Sequence, residues 1–205
     1  MNKPNFQALT DREIEKLNGR KATLLLHACC APCSTASLEY LAQYFDITLF
    51  FYNPNISSAE EFGKRLGELK RFTEECPFAK GIKIIFPEYN HLEFLNVVTG
   101  LENAKEGGER CEKCFRLRLN KTAEQAEKSG FEYFATTLTI SPLKNAEKIN
   151  LCGEGAVVGN VIYLPTDLKK RERYKRSIEL SREYGLYRQS FCGCEFSKAD
   201  RNNQI

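Results

Sequence analysis

Nine cysteines, seven of them in three tight groups, limit what this 205-residue chain can be more than any other feature. Cys29-Cys30-Ala31-Pro32-Cys33 puts three thiols within five residues, Cys111-Glu112-Lys113-Cys114 is a C-x-x-C, and Cys192-Gly193-Cys194 is a C-x-C. Only two histidines, His27 and His91, accompany them. Secreted chains rich in cysteine are short scaffolds with even cysteine counts. Here the chain is long, the count is odd, and Met1-Asn2-Lys3-Pro4-Asn5 has no apolar export stretch. The expectation is a cytoplasmic protein whose clustered thiols do metal or redox chemistry.

Composition narrows the class further. At 42% hydrophobic and 28% charged residues the chain can bury a core and is too apolar to be disordered. No run approaches the roughly 18 apolar residues of a membrane helix, so no membrane partner is expected. A net charge of +3 is mild, so nucleic-acid binding would need a local patch. No repeat, low-complexity tract or long linker divides the sequence. One domain over residues 1–205 is expected, with a cysteine-containing C-terminal tail, 186–205, packing at the active site.

Short apolar runs alternate with amphipathic stretches. Thr10-Asp11-Arg12-Glu13 has capping-box form and predicts a helix through Leu17. Strands are predicted at Ala22–Ala28, Asp46–Tyr52, Ile82–Phe86, Phe131–Ile140 and Val157–Leu164. Pro32 opens a helix, Ser57 or Ser58 caps a long one carrying Phe62, Leu66, Leu69 and Phe72, and Asn90 caps a shorter one. Further helices are predicted from Cys111 to Ser129, ended by Gly130, from Leu143 to Leu151, and from Lys169 to Gly185. Nearly continuous apolar strands separated by helices predict an α/β fold: a mostly parallel sheet of about five strands with helices on both faces. Such sheets gather reactive groups beyond the carboxyl ends of their strands, where Cys29 and Cys30 would stand.

Each thiol group has its own chemistry. The first sits in a strand-to-helix turn, where the helix dipole and free N–H groups favour thiolates. Spacing of three puts Cys111 and Cys114 on one helix face, within reach of one metal centre. The remaining grouped thiols lie about 80 residues away on either side, too far for a compact zinc ribbon. A Cys192–Cys194 disulfide would close a very small, strained and easily reduced ring, eased by Gly193; the alternative is two more metal ligands. Cys76 and Cys152 read as packing residues, His27 as a packed histidine at a strand end, and His91 as a surface helix residue.

Many thiols and few histidines point to a soft metal. Four thiolates suit either zinc or an iron–sulfur cubane, and composition does not decide between them. A closed zinc site leaves the C-x-C without a role, whereas a cluster beside it gives the pair a purpose. No G-x-G-x-x-G follows a strand, and Gly153-Glu154-Gly155-Ala156-Val157-Val158-Gly159 has the wrong spacing. Electrons are therefore expected from an external donor. From Lys169 to Arg188 there are eight basic and three acidic residues, with Tyr174, Tyr184 and Tyr187 interleaved. That mixture suits either a solvated helix face or an RNA-binding surface.

Taken in order, Leu25-Leu26-His27-Ala28-Cys29-Cys30-Ala31-Pro32-Cys33, Tyr52-Asn53-Pro54-Asn55-Ile56, Arg110-Cys111-Glu112-Lys113-Cys114-Phe115, Thr136-Thr137-Leu138 with Ser141-Pro142, and Tyr187-Arg188-Gln189 with Cys192-Gly193-Cys194 form a distinctive set. From about Ala22 to Phe196 the sequence closely resembles the QueH-type epoxyqueuosine reductases. The resemblance implies the last step of queuosine synthesis, reduction of epoxyqueuosine at the wobble position of tRNA, without cobalamin. It implies a 4Fe–4S cluster on Cys29, Cys30, Cys111 and Cys114, a redox-active Cys192–Cys194 pair, and a nucleotide-hydrolase-like Rossmann fold. Cys33 is left spare: a cluster ligand in place of a neighbour, or a ligand to a second, mononuclear metal such as iron. Two rival readings remain at this stage, a zinc-stabilised RNA-binding module and a thiol–disulfide oxidoreductase acting on proteins.

Overall fold

The computed structural model describes residues 4–202, with side chains through Ala199. Five strands, β1 (Ala22–His27), β2 (Phe45–Phe50), β3 (Lys83–Ile85), β4 (Tyr133–Thr136) and β5 (Ile162–Tyr163), form one all-parallel sheet in the order β3-β2-β1-β4-β5. Eight helices surround it: α1 (Phe6–Lys16), α2 (Ala31–Leu41), α3 (Ala59–Glu75), α4 (Leu92–Val98), α5 (Glu109–Lys128), α6 (Ala146–Glu154), α7 (Arg173–Glu183) and α8 (Glu195–Asn202). This is the expected three-layer α/β fold.

The two-residue period of a strand builds both faces. Leu24 and Leu26 of β1 pack with Leu38 of α2, Phe72 of α3 and Leu180 of α7. Leu25, between them, points the other way and packs with Leu119 of α5 and Ile149 of α6. Burial on both faces explains why β1 reads as an apolar run rather than an alternating one.

Polar side chains move several element boundaries. Asn5, not Thr10, caps α1, accepting from the Ala8 N–H at 3.1 Å; Thr10 is buried inside the helix and donates to the Pro165 carbonyl. The predicted strand through Ile140 stops at Thr136, whose hydroxyl accepts from the Leu138 N–H and starts a 3-10 turn over Thr137–Ile140. Asn145 accepts from the N–H groups of Glu147 and Lys148, so α6 begins at Ala146 rather than Leu143. Arg171 and Glu172 both adopt positive φ, which delays α7 to Arg173. Within the stretch read as tail, Glu195–Asn202 is helical; residues 203–205 lie outside the described residues.

The chain runs outward from β1 in both directions, to β2 and β3 on one side and to β4 and β5 on the other. The strand order therefore reverses between β1 and β4. In an open parallel sheet the crevice beyond the carboxyl ends of two such strands receives the ligand. Cys29 and Cys30 follow β1 there, and Thr136 and Thr137 end β4. Among the described residues no helix is long and apolar enough to cross a membrane.

Candidate active site

Pro32 lies in the first turn of α2, so the Cys29-Cys30 turn enters that helix directly from β1. The sulfurs of Cys29, Cys30 and Cys33 lie within 4.8 Å of one another, with Cys29 and Cys30 at 3.8 Å. Among the described residues this is the one group of three or more metal-type donors drawn so close. Its chemistry suits a thiophilic metal centre. Hydrogen bonds from Cys30 and Cys33, with the charges of Arg118 and Lys144, hold the Cys29 thiol well below its ordinary range. The hydrogen bond it gives to Cys29, with burial, pushes Cys30 up to about 12.

Arg118 organises the floor of the site. It is 1% exposed, and it stands one helical turn beyond Cys114 on α5. Its Nε donates to His27 Nε2 at 3.2 Å and its Nη2 to Asn53 Oδ1 at 2.5 Å. Asn53 in turn donates to the Ala28 carbonyl at 2.9 Å. Burial and the adjacent Arg118 charge lower His27 to about 3, so His27 is neutral. His27 Nδ1 lies 2.9 Å from Thr136 Oγ1, and its Nε2 lies 3.1 Å from the Tyr52 carbonyl as well as facing Arg118. His27 is thus the packed histidine expected, and it carries the strand-end polar network.

Cys111 and Cys114 stand in the first two turns of α5, outside the close triad. The Gly107 N–H, in a loop where Gly107 has φ of 82°, donates to Cys111 Sγ at 3.2 Å. Cys114 is buried with Cys194, Phe94 and Val98, and burial pushes each of these two thiols up to about 12. Cys192 and Cys194 are both free thiols, and Ser197 N–H faces Cys194 Sγ at 3.4 Å. Gly193 has φ of 126°, and its carbonyl accepts from the Ser57 N–H at 3.0 Å. A side chain there would meet Ile56, Arg65 and Asn55 at 3.1–3.3 Å, so only glycine lets the turn lie this close.

A cavity of about 250 Å³ lies between the first thiol turn and the C-x-C segment. Cys29, Cys33 and Cys192 share its wall, together with Tyr174, Gln189 and Phe191. Four cations, Arg65, Arg118, Lys144 and Arg188, line it against one carboxylate, Glu106. Burial opposes the charge on Lys144, but the sulfurs of Cys192, Cys29 and Cys33 outweigh it and raise this ammonium above its usual range. Such cations offset the negative charge that bound thiolates carry. Sequence reasoning passed over Arg118, Lys144 and Arg65. For Arg118 the available signal was its spacing of four from Cys114; Lys144 and Arg65 gave none.

Two expectations need correction. His91 is not a surface residue: it is mostly buried, with Nδ1 2.7 Å from the Pro54 carbonyl and Nε2 3.1 Å from Glu195. The basic stretch is also only partly free. Arg173 is buried, and Arg176 grips Glu39 through Nε and Nη2 at 2.7–3.1 Å. Cys76 and Cys152 are buried in the two main cores, as expected of packing residues.

A family profile described as epoxyqueuosine reductase QueH matches residues 24–200. A protein of that name from Streptococcus pyogenes serotype M1 is 44% identical over 203 residues, covering 95% of this chain and 80% of the relative. One from Staphylococcus epidermidis is 42% identical over 185 residues, covering 88% and 78%. One from Thermotoga maritima is 33% identical over 186 residues, covering 89% and 93%. The match spans the thiol turn after β1, the C-x-x-C of α5 and the C-x-C before α8, and this chain belongs to the epoxyqueuosine reductase QueH family.

Proposed function

We propose that this protein reduces epoxyqueuosine in tRNA to queuosine, the last step in making that base, and that it does so with an iron–sulfur cluster and the Cys192–Cys194 pair. The observation that carries the reading is the meeting of the Cys29–Cys30–Cys33 triad with Cys192 in one cation-lined cavity. The relatives named epoxyqueuosine reductase supply the substrate class. The proposed ligands of a 4Fe–4S cluster are Cys29, Cys30, Cys111 and Cys114, with Cys33 available to a second, mononuclear iron. When bound, such a cluster supplies one-electron transfer.

The chain's own residues account for the rest. Loss of the epoxide oxygen as water, leaving an alkene, takes two electrons and two protons. Oxidation of the Cys192 and Cys194 thiols to a disulfide releases two of each, so the reaction balances. An external donor then returns the pair to the dithiol. Arg118 and Lys144 stabilise anionic sulfur in the cavity, and Asn53, His27 and Thr136 hold Arg118 and the strand ends in place. A membrane plays no part in this reading, which places the work in the cytoplasm beside its tRNA.

One observation favours a second reading. The 3.8 Å between Cys29 and Cys30 is the edge of a sulfur tetrahedron around a single ion at a metal–sulfur distance of about 2.3 Å. A lone zinc there would make a structural site in an RNA-binding module. Anaerobic purification separates the two. The reductase should be brown, absorb broadly in the visible, carry about four irons or more per chain, and convert epoxyqueuosine tRNA when given a low-potential reductant. A colourless protein with one zinc and no turnover would favour the module.

A further inference from the structure

Arg65 of α3 is 2% exposed and forms part of the cavity wall. Its Nε donates to Glu61 Oε1 at 2.6 Å, and its Nη1 donates to the Cys192 carbonyl at 3.1 Å. The Phe191 ring lies 5.3 Å from its Cζ. Its Nη2 meets no acceptor among the described residues. Glu61 and the Cys192 carbonyl hold the guanidinium in place, so they explain Nε and Nη1 and leave Nη2 without a purpose. Buried charged donors are almost always paired, because losing water without a partner is unfavourable. Gln189, another residue of the same wall, likewise carries an unpartnered buried atom, Oε1.

The missing partner can be described by its chemistry. A planar guanidinium selects an oxygen anion of matching geometry, phosphate above all. Cations outnumber carboxylates four to one along this wall. Tyr174 and Phe191 add aromatic surface of the kind on which unpaired bases stack.

We propose that Arg65 is an anion-binding residue of the cavity, and that its ligand is an RNA backbone phosphate adjoining the nucleotide being reduced. This rests on the reading of the protein as a tRNA-modifying reductase. Nη1 of the same guanidinium holds the Cys192 carbonyl, so one rigid group sets the substrate backbone against the redox pair. A nucleotide entering the cavity brings a phosphate on either side. Arg65 thus converts phosphate binding into alignment of the ring to be reduced with Cys192, the kind of orientation on which rates depend steeply.

The test uses anticodon stem-loop RNA carrying epoxyqueuosine, with one of the two linkages flanking that nucleotide replaced by an uncharged methylphosphonate. Wild-type protein should bind one of the two neutral-linkage RNAs about tenfold more weakly than the native RNA. Arg65→Gln should bind native RNA about as weakly, and the neutral linkage should then cost it less than about twofold more. The proposal is overturned if wild type binds all three RNAs alike, or binds none, or if Arg65→Gln loses the same factor on each. Should Arg65→Gln fail to fold, Arg65→Lys is read on the same three RNAs in its place. Wild-type protein that discriminates against a neutral linkage yet reduces no epoxyqueuosine keeps the phosphate site and sinks the reductase. Wild-type protein that reduces all three RNAs equally and binds them equally does the reverse.

Discussion

Arg118 donates to His27 at 3.2 Å, and neither side chain is more than 1% exposed. This contact ties α5, which carries Cys111 and Cys114, to β1, which ends at His27 just before Cys29 and Cys30. Two thiol groups far apart in the chain are thereby held on elements that one buried contact joins.

Removing that cation should be felt in stability. Arg118→Met leaves Asn53 Oδ1 without its donor, at a cost of about 1–3 kcal/mol for a buried orphaned acceptor. Urea unfolding of the metal-free protein measures it. A loss below about 0.5 kcal/mol would mean that the network contributes nothing to the fold.

The C-x-C pair and the proposed cluster ligands should separate cleanly. Cys192→Ala and Cys194→Ala should each stop alkene formation while iron content stays near that of wild type. Cys111→Ala and Cys114→Ala should lose iron and turnover together. Iron analysis, free-thiol counting and turnover on the same four variants decide the matter. If iron leaves with Cys192 or Cys194, those residues are ligands and not a redox pair.

Gly193→Ala should dislodge the C-x-C turn. The substitution strains a φ of 126° and presses a methyl group towards Ile56, Arg65 and Asn55. Strain of this kind costs about 1–3 kcal/mol. It should show as faster proteolysis within residues 187–199 and a turnover loss, with the midpoint of global unfolding nearly unchanged. Protection equal to wild type would show that the turn adapts.

At Gly153 the expected effect is global. An added Cβ would collide with the Tyr163 ring of β5. Gly153→Ala should destabilise the fold by about 1–3 kcal/mol, and Gly153→Ala with Tyr163→Leu should recover part of it. Chemical denaturation of the single and double variants reads the coupling. Strict additivity would refute the steric account.

Positions on α7 should divide by partner. Lys175 is exposed, so Lys175→Glu should weaken tRNA binding and lower its salt slope by about 1 if the helix faces RNA. Arg176→Glu breaks the grip on Glu39 and should instead lower stability, since α7 packs on α2 there. An unchanged slope for Lys175→Glu would assign that face to solvent.

Much of the architecture follows from the sequence by short-range physics. The apolar runs around Leu25, Phe50 and Phe134 are strands because both faces of a parallel sheet are buried. Pro32 and Ser58 open helices because their local chemistry suits a first turn. The close grouping of Cys29, Cys30 and Cys33 is likewise a matter of neighbours on one turn. Tertiary structure decided the rest. A hydroxyl that bonds forward ended β4 at Thr136, and a distant carbonyl drew Thr10 inside α1. Arg176, one basic residue among eight in its stretch, found Glu39 on another helix. Above all, the charge of the cavity comes from Arg65, Arg118, Lys144 and Arg188 on separate segments. Periodicity reports burial by neighbours along the chain, but a buried cation takes its meaning from partners that only folding brings within reach.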